Sequence, residues 1–308
     1  HLRDISDLTH YLREEKFDIL NVHHSHGHLL GGIAARRSGH PVIVVRTDHK
    51  RDPLKPSFGN RFLISQLTDG MITFSERARK EDAEHFGLPL ERVQKISPAL
   101  DLNRYDPKRE FKEMRTLFGI GSKEIVIGMI ARYQKYRRTA VFLEAVKKIA
   151  EEFPNAKVLL VGRSGQMEQS VIQPMKQLGV EKWVVLAGYR TNDYLDTLAS
   201  MDIFVFLMAG SDGTARALRE AMAMGKPVIV ANRGMLPELV EDGISGLVVN
   251  DTPEDLANAV LQLLRHPEMR EALGKAAYQK AHQDFQLGRQ VETVEGFYQE
   301  MIRLGKRK

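Results

Sequence analysis

The chain has 308 residues, 43% hydrophobic and 28% charged, a balance that buries a core and excludes the disordered and fibrous classes. At this length two domains are the first expectation, and no apolar run approaches the ~20 residues of a membrane span. The absence of Cys excludes disulfides, thiol nucleophiles and Cys-ligated zinc, and the formal net charge of +5 is a modest surplus whose distribution matters more than its total.

The chain opens on His1, not Met, and enters an amphipathic helix over residues 3–15 with apolar Ile5, Leu8 and Leu12. A short buried strand, Asp18–Val22, a small-residue helix over 27–38 and the strand Pro41–Val45 follow, the last with the unbroken aliphatic composition of a parallel sheet. Helix 60–67, strand Gly70–Phe74, helix 76–86 ending at Gly87 and strand Val93–Ile96 complete a βαβ alternation. Residues 97–123, with Pro98, Pro107 and a charged helix, break the rhythm and mark a boundary.

A second series begins with strand Ile125–Ala131, helix 137–152, strand Lys157–Val161, helix 167–178 and strand Trp183–Leu186. It continues with helix 191–200, strand Ile203–Leu207, helix 214–224, strand Pro227–Ala231, a short helix at 235–241 and strand Gly246–Val249. Helices 254–265, 268–283 and 288–304 close the chain. The expected architecture is α/β: two Rossmann-like doubly wound parallel-sheet domains facing a cleft, at 1–100 (with a C-terminal helix at 286–308) and 101–285. Ligands of such sheets bind outside the carboxyl ends of the strands, so chemistry belongs in the loops that follow them.

The loop Ala131–Arg138 carries Arg132, Lys135, Arg137 and Arg138 at a strand end and helix start. Cations there oppose the helix macrodipole, so the loop reads as a diphosphate clamp more readily than as a solvated turn. Gly162-Arg163-Ser164-Gly165 and Gly188-Tyr189-Arg190 follow two further strands, and an ordinary surface turn explains each equally well. Gly210–Ala223 is the strongest feature, because small residues let backbone approach a ligand before a helix begins. Asp212 fits either an N-cap or a ligand-binding carboxylate. Glu220 sits among apolar and small residues, where an unpaired carboxylate is costly.

Asp212–Glu220 reads acid-x7-Glu, followed by Ala-Met-Ala-x-Gly-x-Pro-Val-Ile, Gly234, Glu238 and Asp242-Gly243-x-x-Gly246-Leu247-Val248. This resembles the donor-binding signature of the family 4 retaining glycosyltransferases of GT-B fold; Ile127-Gly128-x-x-x-Arg132, Val161-Gly162, Leu186-x-Gly188-Tyr189-Arg190 and Ala199–Val205 fall where that family's loops fall. The resemblance implies an acceptor-side domain at 1–100 and a nucleotide-sugar-binding domain at 101–285. It implies that Glu220 bonds the nucleotide ribose, that Asp212 faces the donor sugar, and that Arg132 and Arg137 neutralise the diphosphate. Backbone amides near Gly213, Thr214 and Ala215 would add to that stabilisation. Gly162, Arg163 and Arg190 would lie around base and ribose, and Glu238 would support the pocket. The sequence departs from the family pattern at Asp212, where Glu is usual, at Arg137 and Arg138 in place of Lys and Gly, and at Ala215-Arg216 in place of Gly and an apolar residue.

In the first half, His23-His24-Ser25-His26-Gly27-His28 invites a metal reading, but no zinc motif with a catalytic Glu accompanies it, so no metal is expected. Histidines lining the acceptor cleft or capping the next helix fit better. The resemblance places a His in the loop after the second strand, reaching toward the transferred sugar, which makes His49 the candidate; a structural histidine is the alternative. Basic residues at 36, 37, 50, 51, 55, 61, 77, 79 and 80 are solvated by default and together allow contact with anionic lipid or glycolipid headgroups. Nucleic acid is disfavoured, for no aromatic-and-basic platform accompanies them.

The resemblance implies retaining transfer from a nucleoside-diphosphate sugar to a hydroxyl of a glycan or glycolipid, in lipopolysaccharide or other cell-surface glycan synthesis. It needs no cofactor, because the arginines serve the diphosphate, and it places the enzyme in the cytoplasm, at the inner membrane face. The alternatives are a non-catalytic sugar-nucleotide-binding module and another GT-B enzyme, an epimerase or a phosphorylase type. The first domain shows only about four strands, so it reads as incomplete, and roughly 60–80 further residues are expected ahead of His1.

Overall fold

The computed structural model describes residues 2–50, 52–209 and 215–307, which divide into two compact units: 2–98 with 287–307, and 99–209 with 215–286. In the first unit the parallel strands β1 (Ile19–His23), β2 (Ile43–Thr47), β3 (Gly70–Thr73) and β4 (Val93–Lys95) pair in sequence order. They alternate with α1 (Leu2–Glu15), α2 (Ser25–Arg37), α3 (Phe58–Leu67) and α4 (Glu76–Phe86). β2 is buried throughout, which accounts for its lack of polar alternation.

The second unit is a six-stranded parallel sheet built from β5 (Ile125–Ile130), β6 (Ala156–Val161), β7 (Val184–Gly188), β8 (Ile203–Phe206), β9 (Val228–Ala231) and β10 (Leu247–Val249). Its order is β10-β9-β8-β5-β6-β7, so the winding reverses between β5 and β8, the switch point outside which ligands of these sheets bind. The helices are α5 (Met114–Leu117), α6 (Thr139–Glu152), α7 (Gln173–Leu178), α8 (Tyr194–Ala199), α9 (Arg216–Ala223), α10 (Leu236–Leu239), α11 (Pro253–Arg265) and α12 (Pro267–Asp284). The last helix, α13 (Leu287–Leu304), belongs to the first unit, where Phe297 and Met301 pack on Ile43, Val45 and Ile72. α1 and α2 pack on Val44, which the strand's period of two places on the other face. Buried Asp69 secures the end of this unit, accepting two 3.0 Å bonds from Arg36 and one of 3.0 Å from the Arg307 N–H.

Two expectations are corrected. The charged helix within 97–123 shrinks to the four-residue α5, since the segment has no sustained apolar stripe to bury. The helix expected over 167–178 opens with a π-turn, Glu168–Ile172, because Pro174 lacks the N–H that an unbroken α-helix needs.

The one charged side chain of β2, Arg46, is 1% exposed and held by buried partners. Its Nη1 lies 2.9 Å from His28 Nδ1, its Nη2 donates to Asp48 at 3.2 Å, and His28 Nε2 meets Thr68 Oγ1 at 2.8 Å. Burial and then the Arg46 charge lower the His28 pKa to about 3, so this imidazole is neutral and accepts from Arg46. Nearby Asp82 accepts from the Leu54 N–H at 2.7 Å, and burial raises its pKa to about 7. The folded state thus holds this proton more tightly than the unfolded chain. Its contribution is fully present below about pH 4 and is lost as pH rises through about 7. Asp82→Asn keeps an oxygen for Leu54, so urea midpoints of this variant are expected to gain on wild type steadily from about pH 4 to 7. Parallel midpoint curves would contradict this assignment. No helix of the described residues is long and apolar enough to cross a membrane.

Candidate functional site

The loops after β5, β6 and β7, the start of α9 and the segment Asn103–Asp106 line a cavity of about 890 Å³ in the second unit. Gly162 shapes its wall. Its φ of 143° is poorly accessible to L side chains, and a Cβ there would overlap the Ala131 carbonyl oxygen. The same turn is tied to its neighbours, Ala131 N–H donating to Val161 at 3.0 Å and Gly162 N–H to Gly188 at 2.8 Å.

The basic loop after β5 divides its cations. Arg132 lines the cavity with an exposed side chain; Arg137 also lines it and donates to the Met208 carbonyl at 2.6 Å. Arg138 instead pairs with Asp251 at 2.8 Å, a carboxylate that Arg233 shares. Arg138 has φ 63°, the left-handed region where the resembling family has Gly, so the backbone shape persists without the residue that favours it. The cavity is strongly cationic: Arg104, Arg109, Arg132, Arg137, Arg163, Arg190 and Arg216 line it against Asp106, Asp196 and Glu220. Part of this charge is compensated, as Arg109 pairs with Asp196 at 3.3 Å and Arg190 with Asp193. Arg163 lies over the Tyr189 ring, 4.3 Å from its centroid, and Arg190 lies 5.6 Å from that of Phe118. Planar cation and aromatic together offer a face on which a base can stack.

Glu220, on the second turn of α9, is the buried acid of the cavity at 4% exposure. It is not unpaired. Tyr105 donates its hydroxyl to Oε1 at 2.8 Å, Arg216 donates Nε to the same oxygen at 2.8 Å, and Tyr194 donates to Oε2. Burial, then the Glu220 charge, raises the Tyr105 pKa to about 12 and that of Tyr194 well above its ordinary value, so both remain hydroxyl donors at neutral pH. Reading the sequence missed both tyrosines; its only signal was that a carboxylate among apolar residues must find donors somewhere.

Asp212, Gly213 and Thr214 lie outside the described residues. Ala215, with φ 45°, is buried and forms the N-cap of α9. Glu238 sits on α10 and is not among the described residues lining the cavity. In the first unit, His49 meets His23 ring to ring, Nε2 to Nδ1 at 2.8 Å, so one ring donates and the other accepts. Burial and then the charge of His24 lower the His23 pKa. His24 occupies the N-cap of α2 without a side-chain capping bond, and no group of His, Asp and Glu suited to a metal occurs among the described residues.

Two parallel-sheet α/β units in one chain, the second with an arginine-rich crevice at its switch point, define the GT-B class of glycosyltransferases. The chain belongs to the group 1 glycosyl transferases, whose family model matches residues 110–280, while that of Glycosyltransferase Family 4 matches residues 1–104. It is 27% identical over 307 residues to the N-acetyl-alpha-D-glucosaminyl L-malate synthase of Bacillus anthracis, covering 97% of this chain and 78% of that one. It is 24% identical over 314 residues to the UDP-Gal:alpha-D-GlcNAc-diphosphoundecaprenol alpha-1,3-galactosyltransferase of Escherichia coli, covering 98% and 80%. The fold is similar to Anabaena Alr3699/HepE in complex with UDP and glucose, with a TM-score of 0.78 at 22% identity over 95% of this chain and 80% of that one. The chain is therefore a glycosyltransferase, and the epimerase, phosphorylase and binding-module readings give way.

Proposed function

We propose that this enzyme transfers a hexosyl group from a UDP-sugar to a hydroxyl of a glycan or glycolipid, with retention at the anomeric carbon. One observation carries the donor side of this reading: the switch-point cavity sets a buried carboxylate, Glu220, among arginines. The carboxylate suits the hydroxyls of a ribose, and Arg132 and Arg137 suit a diphosphate. Arg163 and Arg190, with Tyr189, suit the base, and Gly162 lets its loop pack directly on the Ala131 carbonyl at the cavity wall. Asp212 is assigned to the donor sugar, the amides of Gly213–Ala215 to the diphosphate and His49 to the transferred sugar, all by the family motif. The UDP-galactose in the E. coli relative's name supports a uridine donor and a hexose.

In this mechanism the acceptor hydroxyl attacks the anomeric carbon on the face from which the diphosphate departs. The bond to the diphosphate oxygen breaks, that oxygen takes the acceptor proton, and Arg132 and Arg137 stabilise the charge it develops. On the acceptor side, Arg36, Arg77 and Arg79 are committed to Asp69, Glu81 and Glu76. We assign contact with an anionic glycolipid surface at the inner membrane face to the start of α3, where Lys55 and Arg61 lie close in sequence to Phe58 and Phe62, which are 89% and 44% exposed. Thermal shift by UDP, GDP and ADP tests the donor site, with UDP expected to raise the midpoint; no shift with any of them would remove it. Flotation with anionic vesicles tests the surface, and equal recovery of wild type and Phe58→Asp would remove that contact.

A further inference from the structure

Glu220 can accept four hydrogen bonds, two on each carboxylate oxygen. Three are taken: Oε1 by Tyr105 and Arg216, Oε2 by Tyr194. One acceptor position remains, whereas the two hydroxyls of a ribose need two. A nucleotide seated on this carboxylate must therefore displace one of the three donors.

The three are unequal. Tyr105 is 3% exposed, and moving its hydroxyl off Glu220 would strand a buried donor. Tyr194 is half-buried on α8. The Arg216 side chain is 66% exposed at the head of α9, where breaking an ion pair to water costs little. Arg216 is thus the donor that leaves. It lines the same cavity as Arg132 and Arg137, so its guanidinium has a second partner wherever those arginines hold a diphosphate.

We propose that Arg216 is a donor-exchanging arginine: it closes Glu220 in the free enzyme, yields that carboxylate to the ribose, and then turns onto the diphosphate, while Tyr105 and Tyr194 keep the carboxylate oriented. This rests on the nucleotide reading given above. It assigns a role to a position where the resembling family commonly has an apolar residue, and it makes ribose and diphosphate respond in opposite directions to the loss of one side chain.

The test is isothermal titration of uridine and of UDP into wild type, Arg216→Met and Arg216→Lys, with near-ultraviolet dichroism confirming the native fold. Arg216→Met removes the competitor for the ribose and a partner of the diphosphate. It is expected to bind uridine about threefold more tightly and UDP about threefold more weakly, so that the preference for UDP over uridine falls about tenfold. Arg216→Lys is expected to retain most of that preference. An unchanged UDP-to-uridine ratio in Arg216→Met, or uridine binding no tighter than wild type, overturns the exchange while leaving the nucleotide site standing. Wild type binding neither compound overturns the uridine-nucleotide reading and the exchange together.

Discussion

Glu220→Ala is expected to abolish the thermal shift given by UDP and to lower sugar transfer by at least about a hundredfold. Hydrogen bonds to a charged group contribute about 1.5–3 kcal/mol each, and in the proposed donor site the ribose would make two of them. The substitution also acts on the free protein. It leaves the hydroxyls of Tyr105 and Tyr194 without their acceptor, one of them in a buried setting, at a cost of about 1–3 kcal/mol of stability. Lost binding could then be mistaken for lost fold. Glu220→Gln separates the two, because it keeps the shape and one acceptor oxygen while removing the charge. Glu220→Gln is expected to melt within a few degrees of wild type yet bind UDP at least about tenfold more weakly. UDP binding at wild-type strength by Glu220→Gln would remove this carboxylate from the donor site.

The second large effect is expected at Arg132. Its side chain is exposed and makes no ion pair among the described residues, so Arg132→Ala should leave the melting temperature unchanged. If its charge acts on the departing diphosphate, kcat should fall about 10²–10³-fold with a much smaller change in KM, and Arg132→Lys should recover part of the loss. Arg137 is a poorer probe, because it also holds the Met208 carbonyl in the loop just past β8, and its removal would disturb that loop as well as the charge. A kcat within threefold of wild type in Arg132→Ala would exclude Arg132 from the chemistry.

What could be read from the sequence follows from how local each signal was. The aliphatic run of β2 and the Gly after β6 are local, and each marked an element or turn that the structure contains. Asp212 and Glu220 are only eight positions apart in the sequence, so their spacing pointed to a site without any tertiary knowledge. The donors that hold Glu220 were not legible, since Tyr105 and Tyr194 are separated from it by 115 and 26 residues and no pattern ties them to it. Arg138 misleads in the opposite way: as a fourth cation it looked like part of the clamp, whereas the left-handed turn sends it to Asp251, far along the chain. The boundary segment 97–123 was expected to hold a charged helix, but it runs mostly irregular, and in doing so brings Asn103–Asp106 and Arg109 to the cavity. Of the four clustered histidines, His28 enters a buried network with Arg46, whereas His23 and His24 both contact the His49 ring.

The central claim is sugar transfer with retention from a nucleoside-diphosphate sugar. Its most direct test is proton NMR of the purified chain incubated with α-linked UDP-sugars, with water as the default acceptor. Release of UDP, with the first-formed sugar in the α configuration before mutarotation, is the predicted result. A β-configured first product, or no nucleotide release from UDP-, GDP- or ADP-sugars by a chain that binds the nucleotide, would contradict it.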